Sequence, residues 1–413
     1  MLFALLGLLG LLVGGCAAAP DLAFRPRSYA FPVATGVTFD LARGRPLGTA
    51  ELAQRLAPIR LLMLGEHHTD PRSHRFQHDV LSLLVREGRK VTVALEMLPP
   101  SANAALGRWR RGELGEAEFL EQSGWYRAWR LAWSHYRDLF LLMRQHRLPV
   151  FGVNAEEETK KALRSGRTEN LPAALRDEIG DPEQQTLPHT MHLLDALRRG
   201  GHGEGLSAES KRFRSLRRVQ WMWDRLMGGR AARLAEEAPE GGIVVLLIGS
   251  GHLAYKVGAN LQAARAGGLP QLSVWDEVLT TSPPGGKHPV PLGIADLARV
   301  YPPLAEPAAY PRLAGLTLVK RDQRPERDPA TANGPGGVLV KKASRHGRRG
   351  GNKSPALREG DVILRLNGQP VTSPAGLRLA LERLAFGTTA RLDVLRGGGP
   401  LTLQIPLRRP AHR

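Results

Sequence analysis

Apolar residues along this chain fall into short continuous runs separated by segments of helical period. Arg60-Leu61-Leu62-Met63-Leu64, Val91-Thr92-Val93-Ala94-Leu95 and Val150-Phe151-Gly152-Val153 each read as a buried strand. Gly242–Ile248 and Gln271–Trp275 read the same way. Between them, residues 72–88 place Phe76, Val80, Leu83 and Leu84 on one helical face. Helices are predicted over 101–111, 116–122 and 129–147, and over a long region, 171–236, broken near Gly200–Gly205. Continuous apolar strands alternating with helices predict an α/β fold: a mainly parallel sheet flanked by helices, with the region after the third strand as a helical lid. A Pro/Gly-rich stretch, 282–311, reads as a linker. Beyond it the pattern changes to short strands at 316–319, 338–340, 362–366 and 390–395 with one helix at 374–385, a small β-rich domain at 312–409.

Composition narrows the class. The chain has 413 residues, 42% hydrophobic, enough for two or three domains and against wholesale disorder. One cysteine excludes an intramolecular disulfide framework and a Cys-based zinc site. The formal charge is +19, and residues 312–413 hold 20 Lys and Arg against 7 Asp and Glu, a local +13. This is a basic C-terminal module with no helix-turn-helix or RNA-binding aromatic signature, so no nucleic-acid partner is expected. Solubility and attraction to anionic surfaces account for the charge.

The first twenty residues, MLFALLGLLGLLVGGCAAAP, form an apolar run too short to span a bilayer comfortably. Val13-Gly14-Gly15-Cys16 resembles a bacterial lipobox, so residues 1–16 are expected to be a lipoprotein signal ending at a lipidated Cys16. No Lys or Arg precedes the run, a departure from the motif. Ala17 gives no signal for inner-membrane retention; an extracytoplasmic outer-membrane anchor is expected, with residues 17–36 as a tether.

Polar residues follow each predicted strand. Gly65-Glu66-His67-His68 comes after the first, Glu96 after the second, Asn154 after the third, and Gly249-Ser250-Gly251-His252 after the fourth. In open α/β sheets, ligands bind outside the carboxyl ends of the strands, so these residues should share one crevice. Two imidazoles and carboxylates there suit a divalent metal on His68, His252 and Glu96, or acid–base work on water. Each also has a plain reading: a turn histidine, a carboxylate paired with arginine, or, for Asn154, a helix cap. Trp125, Trp129 and Trp133, at i, i+4 and i+8, either line a pocket for a flat ligand or pack in the core.

With Leu64–His68, His74, Gln77, Ala94–Met97, the Trp-rich segment, Pro149–Asn154, Gln220, Asp224, Met227 and Gly249–His252 in order, residues from about 37 to 278 resemble the ChaN-like lipoproteins of the haem-binding-uptake/Tiki superfamily. The resemblance, carried here over 37–281, implies haem as cofactor, a role in iron acquisition, and a tyrosine axial ligand, for which Tyr126, Tyr136 and Tyr255 are candidates and His67 a further one. It leaves a homodimer open. The pocket would then comprise Glu66, His67, His68, His74, Glu96, Trp125, Tyr126, Trp129, Tyr136, Asn154, His252 and Tyr255. Other superfamily members resemble metal-dependent peptidases or esterase-like hydrolases, and in that reading Glu66, His68, Glu96 and His252 would be catalytic; Thr69 stands where the family carries an acid. The C-terminal domain resembles a bacterial PDZ domain, most specifically along Leu357–Val371. This implies that Gly336, Gly337, Val338, Leu339 and Val340 form the loop and strand receiving a protein's C-terminus.

Overall fold

The computed structural model of the protein describes residues 27–199, 206–306, 308–313, 316–321, 336–343 and 357–409. Cys16 and the signal segment lie outside the described residues, as does the insertion Ser344–Gly351.

The expected α/β alternation is present. Strands β4 (Leu61–Glu66), β5 (Lys90–Leu95), β6 (Val150–Gly152), β7 (Gly242–Gly249) and β8 (Gln271–Val278) follow β1 (Ser28–Pro32), β2 (Thr38–Asp40) and β3 (Arg45–Leu47), and β9 (Lys287–Pro291) and β10 (Leu297–Tyr301) come after them. The main sheet runs β3-β2-β10-β8-β4-β7-β5-β6. All pairs from β10 to β6 are parallel; β2 and β3 add an antiparallel edge. Strands β4 and β7 are buried along their whole length, as continuous apolar runs covered on both faces require.

Helices α1 (Thr49–Leu56), α2 (Pro71–Arg86), α3 (Asn103–Arg111), α4 (Glu116–Gln122), α5 (Trp125–Ala128) and α6 (Arg137–Gln145) precede β6. Helix α2 starts where it does because Asp70 accepts from the Arg72 N–H and Pro71 fits the first turn. After β6 come α7 (Glu157–Ser165), α8 (Ala173–Ile179), α9 (Leu187–Arg199) and α10 (Lys211–Glu237), the expected lid, and then α11 (Ala259–Gly267).

Two expectations need correction. The segment 282–311 is not simply a linker, and 17–36 not simply a tether. Strand β10 joins the main sheet beside β8, with Leu297, Ala298, Val300 and Tyr301 buried. Strand β9 pairs with β1 across Ser28–Pro32. Prolines 289 and 291 signalled a linker, but they sit in a two-stranded ribbon, where an edge tolerates them. The helix predicted over 129–147 is also broken. Helix α5 ends at Ala128, Arg130 takes a left-handed φ of 68°, and a single 3₁₀ turn at Trp133–His135 leads into α6.

The C-terminal domain holds β11 (Leu316–Lys320), β12 (Val338–Ala343), β13 (Val362–Leu366), β14 (Gln369–Pro370), α12 (Pro374–Glu382), β15 (Thr389–Arg396) and β16 (Gly399–Pro406). Its antiparallel sheet runs β11-β12-β13-β15-β16, with β14 on β13. Helix α12 is capped by Ser373, whose hydroxyl accepts from the Gly376 N–H.

Asp276 on β8 is fully buried beside Arg299, whose guanidinium lies 3.7 Å from the centre of the Phe76 ring. Burial pushes the Asp276 carboxyl up to about 7, against the opposing pull of Arg299. The folded state therefore holds this proton more tightly than the unfolded chain. The contribution is complete at about pH 4 and below and is lost as pH rises to about 7. Thermal unfolding should show Asp276→Asn gaining on wild type as pH rises through that window, by about 2–4 °C per kcal/mol. Parallel Tm–pH curves would refute the assignment.

Candidate functional site

The carboxyl ends of β4, β7 and β5 lie side by side and bring the first, fourth and second motifs together. Close packing explains the motif glycines. A Cβ at Gly65 would sit 2.6 Å from Ser250 Oγ, and one at Gly249 would sit 2.8 Å from His68 Cε1.

Glu66 is the buried anchor. Its Oε1 accepts from the Tyr136 hydroxyl at 2.6 Å and from His68 Nδ1 at 2.9 Å, and its Oε2 accepts from the Gln77 amide at 2.8 Å. His74 Nε2 stands 3.7 Å from Oε1. Burial alone would raise this carboxyl, but His68 and His74 outweigh it and hold it well below the ordinary range. His68 is raised in turn: burial opposes its charge, and Glu66 and Glu96 overcome that.

Glu96 stands between the two motif histidines. Its Oε2 accepts from the Gly249 N–H at 2.5 Å and its Oε1 lies 3.4 Å from His252 Nε2. The other nitrogen of His252, Nδ1, is 2.6 Å from Asp224 Oδ1, and His189 Nε2 is 3.0 Å from Asp224 Oδ2. Burial disfavours the His252 imidazolium, yet Asp224 and Glu96 raise it to about 10. The site is thus two imidazoles, each backed by a buried carboxylate, facing a third carboxylate. His68 and His252 share one crevice, as expected from their places after parallel strands.

Several expected lining residues do other work. Asn154 is buried: its amide donates to the Glu96 carbonyl at 2.7 Å and its Oδ1 accepts from Ala155 N–H, so it fixes Glu96 rather than touching ligand. His67 is exposed, and its backbone N–H donates to Ser73. Trp125 and Trp133 are fully buried in the core, donating to the Leu131 carbonyl and to Glu116. Only Trp129 reaches the site, edge-on to His68 at 4.7 Å. Tyr136 is fully buried and bound to Glu66, which with burial drives its phenol well above the usual range. Tyr126 lies under Arg378 of α12. Tyr255, the third candidate, takes a left-handed φ of 56° just after the fourth motif, and its ring lies 5.3 Å from that of His192.

His189 and His192 escaped the sequence reading, although their i, i+3 spacing on α9 puts both on one face. With Leu193, Ala196, Gln220, Gly251 and His252 they line a cavity of about 180 Å³. Among the described residues, no group of three or more His, Cys, Asp or Glu side chains is arranged to hold a metal ion. Of the expected set His68, His252 and Glu96, each histidine has its Nδ1 on a buried carboxylate, Glu66 and Asp224 respectively, and His252 Nε2 faces Glu96.

The expected PDZ receptor strand is also corrected. Val338–Val340 has partners on both edges, β11 on one side and β13 with Asp361 on the other. Gly337 is packed so closely that a Cβ would lie 2.8 Å from the Ile363 carbonyl. No backbone there is left for a peptide. The edge strand beside α12 is β11.

The family model described as haem-binding uptake, Tiki superfamily, ChaN matches residues 52–262. This chain belongs to that family. A PDZ family model matches residues 349–407, and the C-terminal domain is a PDZ domain. Among solved structures, the chain is similar to ChaN of Campylobacter jejuni, described as binding haem cofacially: 17% identity, 65% of this chain and 98% of that one, TM-score 0.50. That likeness speaks for the fold. The PDZ domain of HtrA3 with a phage-derived ligand is 20% identical, covering 25% of this chain and 88% of that one, with TM-score 0.18. An erythromycin esterase in its open conformation is 14% identical over 59% of this chain and 78% of that one, with TM-score 0.35. Comparison with curated proteins gives no match.

If Asp224 sets the charge on His252, Asp224→Asn should lower the pH at which this imidazole titrates by more than one pH unit, an energy of about 1.4 kcal/mol. The ring proton signals in NMR report it directly. An unmoved titration would remove Asp224 from this role.

Proposed function

We propose that this chain is an extracytoplasmic, lipid-anchored haem-binding protein of an iron-uptake system, whose PDZ domain takes protein C-termini. The observation that carries the haem reading is the Tyr255 ring lying 5.3 Å from that of His192, which itself lines the cavity with Leu193 and Ala196. Haem iron takes an axial donor from a phenolate or imidazole and needs an apolar face for the macrocycle. These residues fit both needs. The cavity is smaller than the roughly 300–1,000 Å³ of an enclosing ligand pocket, so a macrocycle would rest against this rim rather than be swallowed by it. Family membership and the cofacial haem binding described for the Campylobacter protein support the reading. A homodimer that brings two such rims together is part of the proposal.

One observation favours a second reading, an esterase-like or peptidase-like hydrolase. His68–Glu66 and His252–Asp224 both face Glu96, an arrangement suited to moving protons on and off water. In that case His68→Ala and Glu96→Gln would abolish turnover of an ester or peptide.

Titration with hemin, followed by absorbance, separates the two. Tyr255→Phe and His192→Ala should each weaken hemin binding at least about tenfold, an energy of about 1.4 kcal/mol. Tyr126→Phe and Tyr136→Phe should not. No hemin binding by wild type at micromolar concentration, with hydrolysis lost in His68→Ala, would establish the hydrolase. For the anchor, Cys16→Ala should move the protein from the membrane to the soluble extracytoplasmic fraction; unchanged membrane association would refute lipidation.

A further inference from the structure

Helix α12 of the PDZ domain belongs to two cores. Leu377 and Leu381 pack inside the PDZ domain, while Ala375 and Leu379 pack into the main core of the α/β domain. At 100° per residue these pairs occupy nearly opposite faces of the helix. The stripe of Arg378 and Glu382 between them is held by the α/β domain. The Arg378 guanidinium stacks 4.3 Å from the centre of the Tyr126 ring and donates to the Arg130 carbonyl at 2.9 Å. Glu382 is buried and accepts from the Ser134 N–H at 3.1 Å and its hydroxyl at 3.2 Å. Glu121 accepts from the Ala375 N–H at 3.1 Å, and Arg383 lies 3.3 Å from Glu116.

The segment gripped by α12, residues 126–134, is the interrupted helix that borders the polar site. Trp129 lies on His68, and His135 lies 6.1 Å from His74 and 4.9 Å from Tyr310 on the approach to β11. Tyr136 closes the segment on Glu66. One short stretch, from Tyr126 at the end of the broken helix to Tyr136, therefore touches α12 on one side and the His68–Glu66 pair on the other.

A peptide that adds to the outer edge of β11, which no other described strand covers, lies along α12. From these contacts we propose that the PDZ domain is an effector site: a protein C-terminus seated between β11 and α12 displaces the grip of Arg378 and Glu382 and loosens the Trp129–Tyr136 segment over the α/β site. The fitting partner is an extended chain with a free carboxyl terminus and acidic side chains. The domain region carries +13, to which a terminal carboxylate and acidic side chains are complementary. By linkage, whatever fills the α/β site changes affinity for the peptide by the same factor. This proposal does not depend on that ligand being haem.

A built-in lock tests it. A Cβ at Gly376 would lie 3.8 Å from Ala117 Cβ, the usual Cβ separation of a disulfide. Ala117→Cys/Gly376→Cys in a Cys16→Ser background can thus hold α12 on α4 when oxidised and free it when reduced. A phage library of random C-terminal heptapeptides, panned on both forms, should enrich acidic sequences on the reduced protein and none on the oxidised one. Independently of any peptide, Arg378→Ala/Glu382→Gln should speed carbethoxylation of His68 and amide exchange over 129–135 by about fivefold, the lower range of allosteric coupling. Labelling of His189 on α9 serves as the internal reference. Equal enrichment on both forms, no enrichment on either, or unchanged His68 labelling in the double variant would each overturn the proposal.

Discussion

A carboxylate taken out of water at the end of β4 organises this protein. Glu66 has almost no contact with solvent, and an isolated charge in that place would be prohibitive. Tyr136, His68 and Gln77 together satisfy it. Those partners come from three separate parts of the chain, so fixing Glu66 fixes the loop after β4, helix α2 and the start of α6 together. The second carboxylate, Glu96, is held in the same way by Gly249 N–H and by Asn154 acting on its carbonyl. Charge is thereby stored under the crevice in a defined pattern before any ligand arrives, which is the condition for both electrostatic binding and proton transfer.

The strand ends were legible in the sequence for a physical reason. A buried parallel strand must be apolar throughout, so the first polar residue after it marks the crevice. That rule located Glu66, His68, Glu96 and His252 without knowledge of the fold. It failed where composition misleads. Strands β9 and β10 sit among prolines and glycines, and that signal masked even the apolar run of β10; the pairing of β9 with the far-off β1 and of β10 with β8 makes them strands. Periodicity misled in the Trp-rich segment as well. Three tryptophans at helical spacing suggested one face, but the Trp125 indole N–H reaches the Leu131 carbonyl across the turn, that of Trp133 reaches Glu116 on α4, and the helix gives way there. His189 and His192 lie on a helix of ordinary amphipathic pattern, and nothing local distinguishes them from surface histidines.

The two domains are joined by more than their linker. Helix α12 spends one face on each core, so the PDZ domain is part of the wall around the Trp-rich segment. That segment, between α5 and α6, is touched from outside by the neighbouring domain and from inside by Glu66.

The pairing of β1 with β9, and the place of β10 beside β8, give the α/β domain a late-closing seam. A strand starting at Ser28 waits for residues that emerge some 260 positions later, and the sheet is complete only after Tyr301. Such long-range closure is slow because the entropy of a large loop is lost before the contacts form. Until the chain is complete this seam stays open, with its N-terminal strand and the apolar edge of β8 exposed. The boundaries of the family match, ending at residue 262, therefore do not mark a self-sufficient folding unit. A fragment cut there would lack β8, β9 and β10, leaving β4 as a bare apolar edge ready to pair with its own copies.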